Sequence, residues 1–70
     1  MAKDMDFYKQ YVLDCFTRQE TNSLLIMSIV ATAGDDLEIE DLPHIVPAVR
    51  ALEKEGKLRP EDARGYLRLR

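Results

Sequence analysis

The sequence predicts one small α+β domain, mainly helical, with a three-helix core and a C-terminal two-stranded β-hairpin. Two stretches carry apolar residues at helical spacing, and a stretch between them is apolar almost throughout. The last stretch alternates apolar and basic residues on either side of turn-forming residues, as hairpins do. Seventy residues are enough for one domain, which buries only a modest fraction of its surface.

The first predicted helix covers residues 4–20. Its buried stripe repeats at helical spacing and comprises Met5, Tyr8, Val12, Cys15, Phe16 and Gln19. Phe7 and Leu13 fall outside this stripe, so we expect them to be ordinary exposed residues or to form a second apolar contact, such as a dimer interface. Cys15 is the only cysteine and is predicted to be a core residue, which fits a reducing compartment.

The second predicted helix, residues 23–33, is the centre around which the rest is expected to pack. Between residues 24 and 30 only Ser28 is not apolar. A helix that is apolar nearly all round has to be covered on several sides. Residues 21–23 are all good N-cap types, and Gly34 is placed to end the helix with a positive φ.

The segment 35–41 carries five acidic residues. Leu37 and Ile39 alternate with the acids, which is typical of a short strand with one buried face. One helical turn over residues 38–42 is the alternative. Acids before a helix start are favoured by the helix dipole. The run contains no turn glycine, so it does not have the pattern of a calcium-binding loop.

The third predicted helix covers residues 43–56. Pro43 suits the first turn, Pro47 must begin a new helix or kink this one, and Gly56 ends it. The residues predicted to face the core are Ile45, Val46, Val49 and Leu52. A further face with few long side chains carries His44, Ala48, Ala51 and Glu55.

The segment 57–70 predicts the hairpin. A short strand at residues 58–59 leads into a turn at residues 60–65, where proline and glycine stand at the two ends. In the returning strand, Leu67 and Leu69 are predicted to point to one side and Tyr66, Arg68 and Arg70 to the other.

Charge is distributed unevenly along the chain. Residues 1–49 hold three basic and nine acidic side chains, whereas residues 50–70 hold seven basic and four acidic ones. A basic end on an acidic protein favours a polyanion or an acidic partner for that end, although small domains also carry uneven charge without such a role. The N-terminus does not have the pattern of a signal peptide, and we expect a cytoplasmic protein without a membrane partner.

Two sequence motifs in the C-terminal half resemble those of the winged helix-turn-helix family. A helix ending in Leu-Glu-Lys-Glu-Gly-Lys-Leu, residues 52–58, leads straight into a hairpin ending in Gly-Tyr-Leu-Arg-Leu, residues 65–69. The similarity covers about residues 23–70, and residues 4–20 would be an extra N-terminal helix. It implies double-stranded DNA as the partner, with the third helix in the major groove and the hairpin as a wing.

The resemblance also implies which side chains meet DNA. By position they are Arg50, Lys54, Lys57, Arg59, Arg64, Arg68 and Arg70. Arg50 and Lys54 would reach base edges or nearby phosphates, and the wing arginines would reach phosphates. The chain would be a transcriptional regulator, and a homodimer would match a two-fold site.

The alternative is a winged-helix-like protein-interaction module or a small protein inhibitor that binds no DNA. It would use a partner-contact face of His44, Ala48 and Ala51, or the acidic segment 35–41. We expect no enzyme, no catalytic residues, no metal site and no cofactor. The sequence has no glycine-rich phosphate loop and no Cys/His metal spacing, and its single histidine lies among apolar residues and prolines.

Overall fold

The computed structural model describes residues 3–62 and 64–70, and Ala63, inside the predicted turn, lies outside the described residues. In chain order the elements are α1 Met5–Arg18, β1 Ser23–Leu25, α2 Ile26–Asp36, a 3-10 helix Ile39–His44, α3 Ile45–Lys54, β2 Leu58–Pro60 and β3 Tyr66–Leu69. The α+β class, the three α-helices and the C-terminal hairpin are confirmed.

The sheet has three antiparallel strands in the order β1-β3-β2 rather than the two that were predicted. β1 consists of Ser23–Leu25, so the prediction that a helix begins at Ser23 is wrong. Thr21 explains the difference in part, since its Oγ1 both accepts from the backbone N of Ser23 and donates to the carbonyl O of Ser23. Such local bonds offer the backbone an alternative to a helix start. β1 then pairs with β3, which makes β3 the central strand.

α2 lies at the surface, which corrects the prediction of a helix covered on several sides. Of its residues, all of which are described, only Ile29 and Ala33 are buried, and Met27 is 63% exposed. Because β1 takes the first apolar residues of the run, the remaining helix needs only one buried stripe. Gly34 does not end the helix, which continues to Asp36.

α1 follows the predicted stripe through its middle. Its N-cap is Asp4, whose Oδ1 accepts from the backbone N of Phe7 at 3.0 Å. The buried residues are Tyr8, Val12, Cys15 and Phe16. The ends differ from the prediction, since Met5 and Gln19 are exposed. Leu13 packs against the core instead of facing solvent, whereas Phe7 is exposed.

The acidic segment forms the 3-10 helix, so the helical alternative is right and the strand alternative is wrong. Its N-cap Glu38 and Asp41 are joined by two bonds: the backbone N of Glu38 donates to Oδ2 of Asp41 at 3.0 Å, and the backbone N of Asp41 donates to the carbonyl O of Glu38 at 2.9 Å. α3 follows directly at Ile45, and Pro47 lies in its first turn. Proline is tolerated there because the first N–H groups of a helix have no partner within it.

The core-facing stripe of α3 differs from the prediction at one position. Ile45, Ala48, Val49 and Leu52 are buried, whereas Val46 is 40% exposed. The observed set has regular i, i+3, i+4, i+7 spacing. α1 packs across α3 more extensively than any other described element does, and Ala48 is small enough to lie fully inside that contact.

Two glycines shape the hairpin. Gly56 has a φ of +79° and follows the end of α3, as predicted. Gly65 has a φ of +97°, and a Cβ there would lie 3.2 Å from Cγ2 of Ile26. The Gly65 carbonyl accepts from the backbone N of Ile26 at 2.9 Å, which fixes the hairpin to the start of α2. In the described part of the chain, no helix is long and apolar enough to cross a membrane.

Candidate nucleic-acid interface

The outward side of α3 presents a short basic surface. Arg50 and Lys54 are exposed and lie one helical turn apart. Nη1 of Arg50 donates to Oε1 of Glu53 at 3.0 Å, an i, i+3 pair that leaves the arginine side chain 65% exposed. Pro47 and Ala51 lie beside them and line the same shallow depression. An ion pair this exposed is weak, so Arg50 remains available to another anion.

The turn between β2 and β3 places Arg64 beside Asp62, with the arginine side chain 80% exposed. Nε and Nη2 of Arg64 donate to Oδ2 of Asp62 at 3.2 and 3.0 Å, and the backbone N of Arg64 donates to Oδ1 at 2.9 Å. The guanidinium also lies over the ring of Tyr66, 5.5 Å from its centroid. The turn therefore presents an exposed arginine whose ion pair with Asp62 is weak, like that of Arg50 with Glu53.

The outer face of the sheet carries a second set of cations. Arg59 of β2 lies directly opposite Arg68 of β3, which in turn lies opposite Ser23 of β1. All three point away from the helices, because the neighbouring Leu58 and Leu67 point inward and are buried. The backbone N of Arg70 donates to the carbonyl O of Lys57 at 3.1 Å, which continues the same row.

The seven residues predicted to meet DNA therefore lie in three places. Arg50 and Lys54 lie on α3, whose inner side packs against the core. The outer sheet face, which we define as Ser23, Lys57, Arg59, Glu61, Arg68 and Arg70, lies on the opposite side of the sheet from that core. Arg64 lies in the turn at the end of the hairpin. One flat surface does not include all seven.

In the acidic segment, both carboxylate oxygens of Asp41 accept hydrogen bonds from other parts of the protein. It is 5% exposed, and its Oδ1 accepts from the Tyr8 hydroxyl at 2.7 Å. Its Oδ2 accepts from Nζ of Lys3 at 2.8 Å and from the backbone N of Glu38 at 3.0 Å. The bonds from Lys3 and Tyr8 lower the pKa of Asp41 to about 2 and outweigh the effect of burial. The same contact raises the pKa of Tyr8 to about 12.

Asp36 is used in a similar way at the end of α2. Its Oδ2 accepts from Nη1 of Arg18 and from the Tyr11 hydroxyl, both at 2.9 Å. The arginine and then the tyrosine lower the pKa of Asp36. Two of the five acids in segment 35–41 thus join α1 to the segment that precedes α3 instead of forming a free negative surface.

The predicted partner-contact face is only partly present at the surface. Ala48 is fully buried, which corrects its placement on an exposed face. Ala51 is half-buried beside Arg50. His44 is exposed at the N-cap of α3 but stacks on Tyr8, with ring centroids 5.0 Å apart and planes inclined by 19°. These residues do not form the continuous flat face that the sequence predicted.

The one thiol of the chain has structural surroundings. Cys15 is buried, and burial raises the pKa of its thiol, which disfavours the thiolate. Within residues 3–62 and 64–70, no group of three or more His, Cys, Asp or Glu side chains is placed to hold a metal ion.

Two polar residues of the outer sheet face were missed by the sequence analysis. Oγ of Ser23 donates to Oε2 of Glu61 at 2.7 Å, and Nη1 of Arg68 donates to Oε1 of the same carboxylate at 3.4 Å. Ser23 was assigned to a helix, and only its pairing with β3 places it on this face. Glu61 was assigned to the turn at residues 60–65, although its position two residues after Arg59 is a period-2 signal for the same side of the strand.

Comparisons with protein-family models, with curated proteins and with solved structures found no match for this chain.

Proposed function

We propose that the chain is a small DNA-binding protein of the winged-helix type, acting as a transcriptional regulator. α3 would enter the major groove, and the turn at residues 60–65 would meet the backbone beside it. The support is an arrangement in which a helix with one buried and one basic side is followed at once by a hairpin fixed to the core.

One observation gives this proposal its main support. Arg50 and Lys54 share the exposed side of α3, while the opposite side of the same helix is fully buried. Arginine donates in a fork that fits the two acceptor atoms of guanine, and lysine supplies a flexible point charge for phosphate or base. The buried side holds the helix rigidly, which is what reading base edges requires.

The internal use of Asp36 and Asp41 also supports the proposal. A run of five acids close to the DNA-facing helix would repel phosphates. Because Lys3, Arg18 and two tyrosine hydroxyls engage two of these acids, less negative charge faces the proposed partner. We propose the cytoplasm as the compartment, in keeping with the buried free thiol of Cys15. A homodimer, in which exposed Phe7 contributes to the contact, would match a two-fold operator.

The test is selection of bound duplexes from a randomised DNA pool at near-physiological salt, with sequencing of the retained fraction. We expect an enriched motif, and an inverted repeat with one-turn spacing if a dimer binds. Arg50→Ala should relax the preference at one base position and cost about 1–3 kcal/mol of binding free energy there. Gln10→Ala, at an exposed polar residue of α1, is the control and should leave the motif unchanged. Retention without any motif would contradict a regulator.

A second candidate is a protein-interaction module, and one observation favours it. The exposed side of α3 also carries Val46, Pro47 and Ala51, and α3 contains no Asn, Gln, Ser or Thr for bonding to bases. Ala51→Arg would then abolish capture of the partner while Arg64→Glu would not. The two substitutions should have the opposite ranking if DNA is the ligand.

A further inference from the structure

We propose that α3 recognises the methyl group of a thymine lying within two base steps of a guanine, through an apolar floor formed by Pro47 and Ala51. The inference rests on the proposed DNA binding and names the bases that the same site reads. Among the four bases, only thymine presents a C5-methyl group in the major groove. The proposal thus adds an apolar, base-specific contact to the cations of α3.

The first argument is that apolar and basic residues alternate in two rows on the outward side of α3. Pro47 and Ala51 form an apolar row, and Arg50 and Lys54 form a basic row. The members of each row are four residues apart, and side chains at that spacing lie one above the other on a helix. All four residues line the same shallow depression. A base edge that meets a cation there also meets an apolar side chain.

The second argument is the chemistry of the depression's floor. Pro47 and Ala51 are shorter than the exposed Arg50 and Lys54 beside them, and Ala51 is half-buried. Neither floor residue has a side-chain donor or acceptor, so a polar group placed on the floor would lose its hydrogen bonds to water. A methyl group has no such bonds to lose, and its removal from water is favourable. The floor therefore favours a methyl group over a polar base edge.

The third argument is the set of bases that the side chains of α3 match. The helix contains no Asn or Gln, the residues that bond bidentately to adenine. Glu53 belongs to a type that accepts from cytosine, but it is half-buried and already accepts from Arg50. What remains are Arg50 and Lys54, which fit the two acceptors of guanine, and the apolar row, which fits the thymine methyl.

The spacing of the two rows sets the distance between the two bases. Arg50 follows Pro47 by three residues, as Lys54 follows Ala51, and such neighbours have Cβ atoms about 5–6 Å apart. Successive bases of one strand are about 3.4 Å apart along the duplex. A guanine bonded to one of the cations therefore places a methyl on the adjacent apolar residue within two base steps. Pro47 lies in the first turn of α3, and a recognition helix contacts base edges with its N-terminal residues.

The experiment carries out the selection with three randomised duplex pools. One contains the four ordinary bases, one has deoxyuridine in place of thymidine, and one has 5-methylcytosine in place of cytosine. The second pool differs from the first only by loss of a methyl group, and the third only by gain of one. We expect a motif with guanine and thymine from the first pool and no preference for uracil at the thymine position in the second. In the third pool, 5-methylcytosine should be accepted at that position.

Fluorescence anisotropy on the duplex enriched from the first pool measures the size of the effect. Replacing the selected thymine by deoxyuridine should weaken binding about fourfold, the value of one methyl group removed from water. Ala51→Ser makes the floor polar, so it should abolish most of that difference and keep the preference for guanine. Ala31→Ser makes the same change at an exposed position of α2 and should keep the full difference. Thermal unfolding of both variants checks that they are folded.

The outcomes separate this inference from the proposed function. If the first two pools give the same motif, with uracil in place of thymine at equal affinity, the methyl contact is wrong and the proposed function stands. If the difference between thymine and uracil persists in Ala51→Ser and disappears in Arg50→Ala, the guanidinium contacts the methyl and the assignment to the apolar floor is overturned. If none of the three pools gives a motif, the proposed function is wrong and this inference is wrong with it.

Discussion

The acidic segment 35–41 and the basic hairpin 57–70 use their charges in opposite ways. Asp36 and Asp41 accept hydrogen bonds from residues at least eighteen positions away, and Asp41 is buried. The hairpin arginines are exposed, and the ion pairs of Arg64 and Arg68 among the described residues are made with Asp62 and Glu61 of the hairpin itself. The acids thus hold elements together, whereas the arginines remain free to meet a partner. A count of charges along the chain does not distinguish these two uses.

The largest expected effect tests whether the hairpin is part of the fold as well as a charged surface. Truncation after Gly56 removes β2 and β3, leaving β1 without a pairing partner and uncovering the core. We expect the truncated chain to unfold, since a chain this short has little stability to lose. Circular dichroism and a thermal melt measure this. A cooperative melt of the truncated chain would show that the helices form the fold without the sheet.

Within the hairpin, neighbouring residues should behave oppositely. Leu67 is 3% exposed and lies on the central strand, so Leu67→Ala should lower the free energy of unfolding by about 2–5 kcal/mol. Arg68→Ala, one residue further on the outer side, should change it by about 0.5 kcal/mol or less. Urea unfolding of both variants gives the two values. Similar losses would mean that the outer side also stabilises the fold, which would weaken its assignment to a ligand.

The sequence predicted the hairpin because period-2 alternation and turn residues are local signals. It did not predict β1, since Ser23–Leu25 is compatible with a helix until β3 lies beside it. The buried stripe of α3 was predicted to include Val46 instead of Ala48, again because the answer depends on a distant element. Only the close crossing of α1 shows that a small residue is needed there.

The candidate site was predictable in composition but not in geometry. Each arginine of the hairpin was named from position, and the register of β2 with β3 was needed to show that Arg59 and Arg68 oppose each other. The burial of Asp41 was beyond sequence reasoning, because its main partner, Lys3, is 38 residues away. Contacts between distant residues carry no periodic signal in the chain.

For the acidic segment, Asp41→Asn should destabilise the protein more than Asp35→Asn does. Asp41→Asn weakens charge-assisted bonds from Lys3 and Tyr8 in a buried setting, whereas Asp35 is an exposed residue near the end of α2. We expect a fall in Tm of several degrees for Asp41→Asn and little change for Asp35→Asn. Differential scanning calorimetry at neutral pH compares them directly. Equal values of Tm would remove the contrast between internal and surface acids.

The smallest expected effect is the pH dependence of the stabilisation that the Asp41 carboxylate provides. Folding lowers the pKa of Asp41 from 3.8 to about 2, so the ionised form is favoured in the folded protein. Its stabilisation is therefore fully present above about pH 4 and is lost as the pH falls toward 2. The difference in Tm between the unmodified protein and Asp41→Asn should shrink over that interval, because the variant has no carboxylate to titrate at this position. Asp36 and Glu55 also have lowered pKa values, but they titrate in both proteins and largely cancel in the difference. A gap in Tm that stays constant from pH 6 to pH 2 would show that Asp41 stabilises the fold by its shape and hydrogen bonds, with no contribution from its charge.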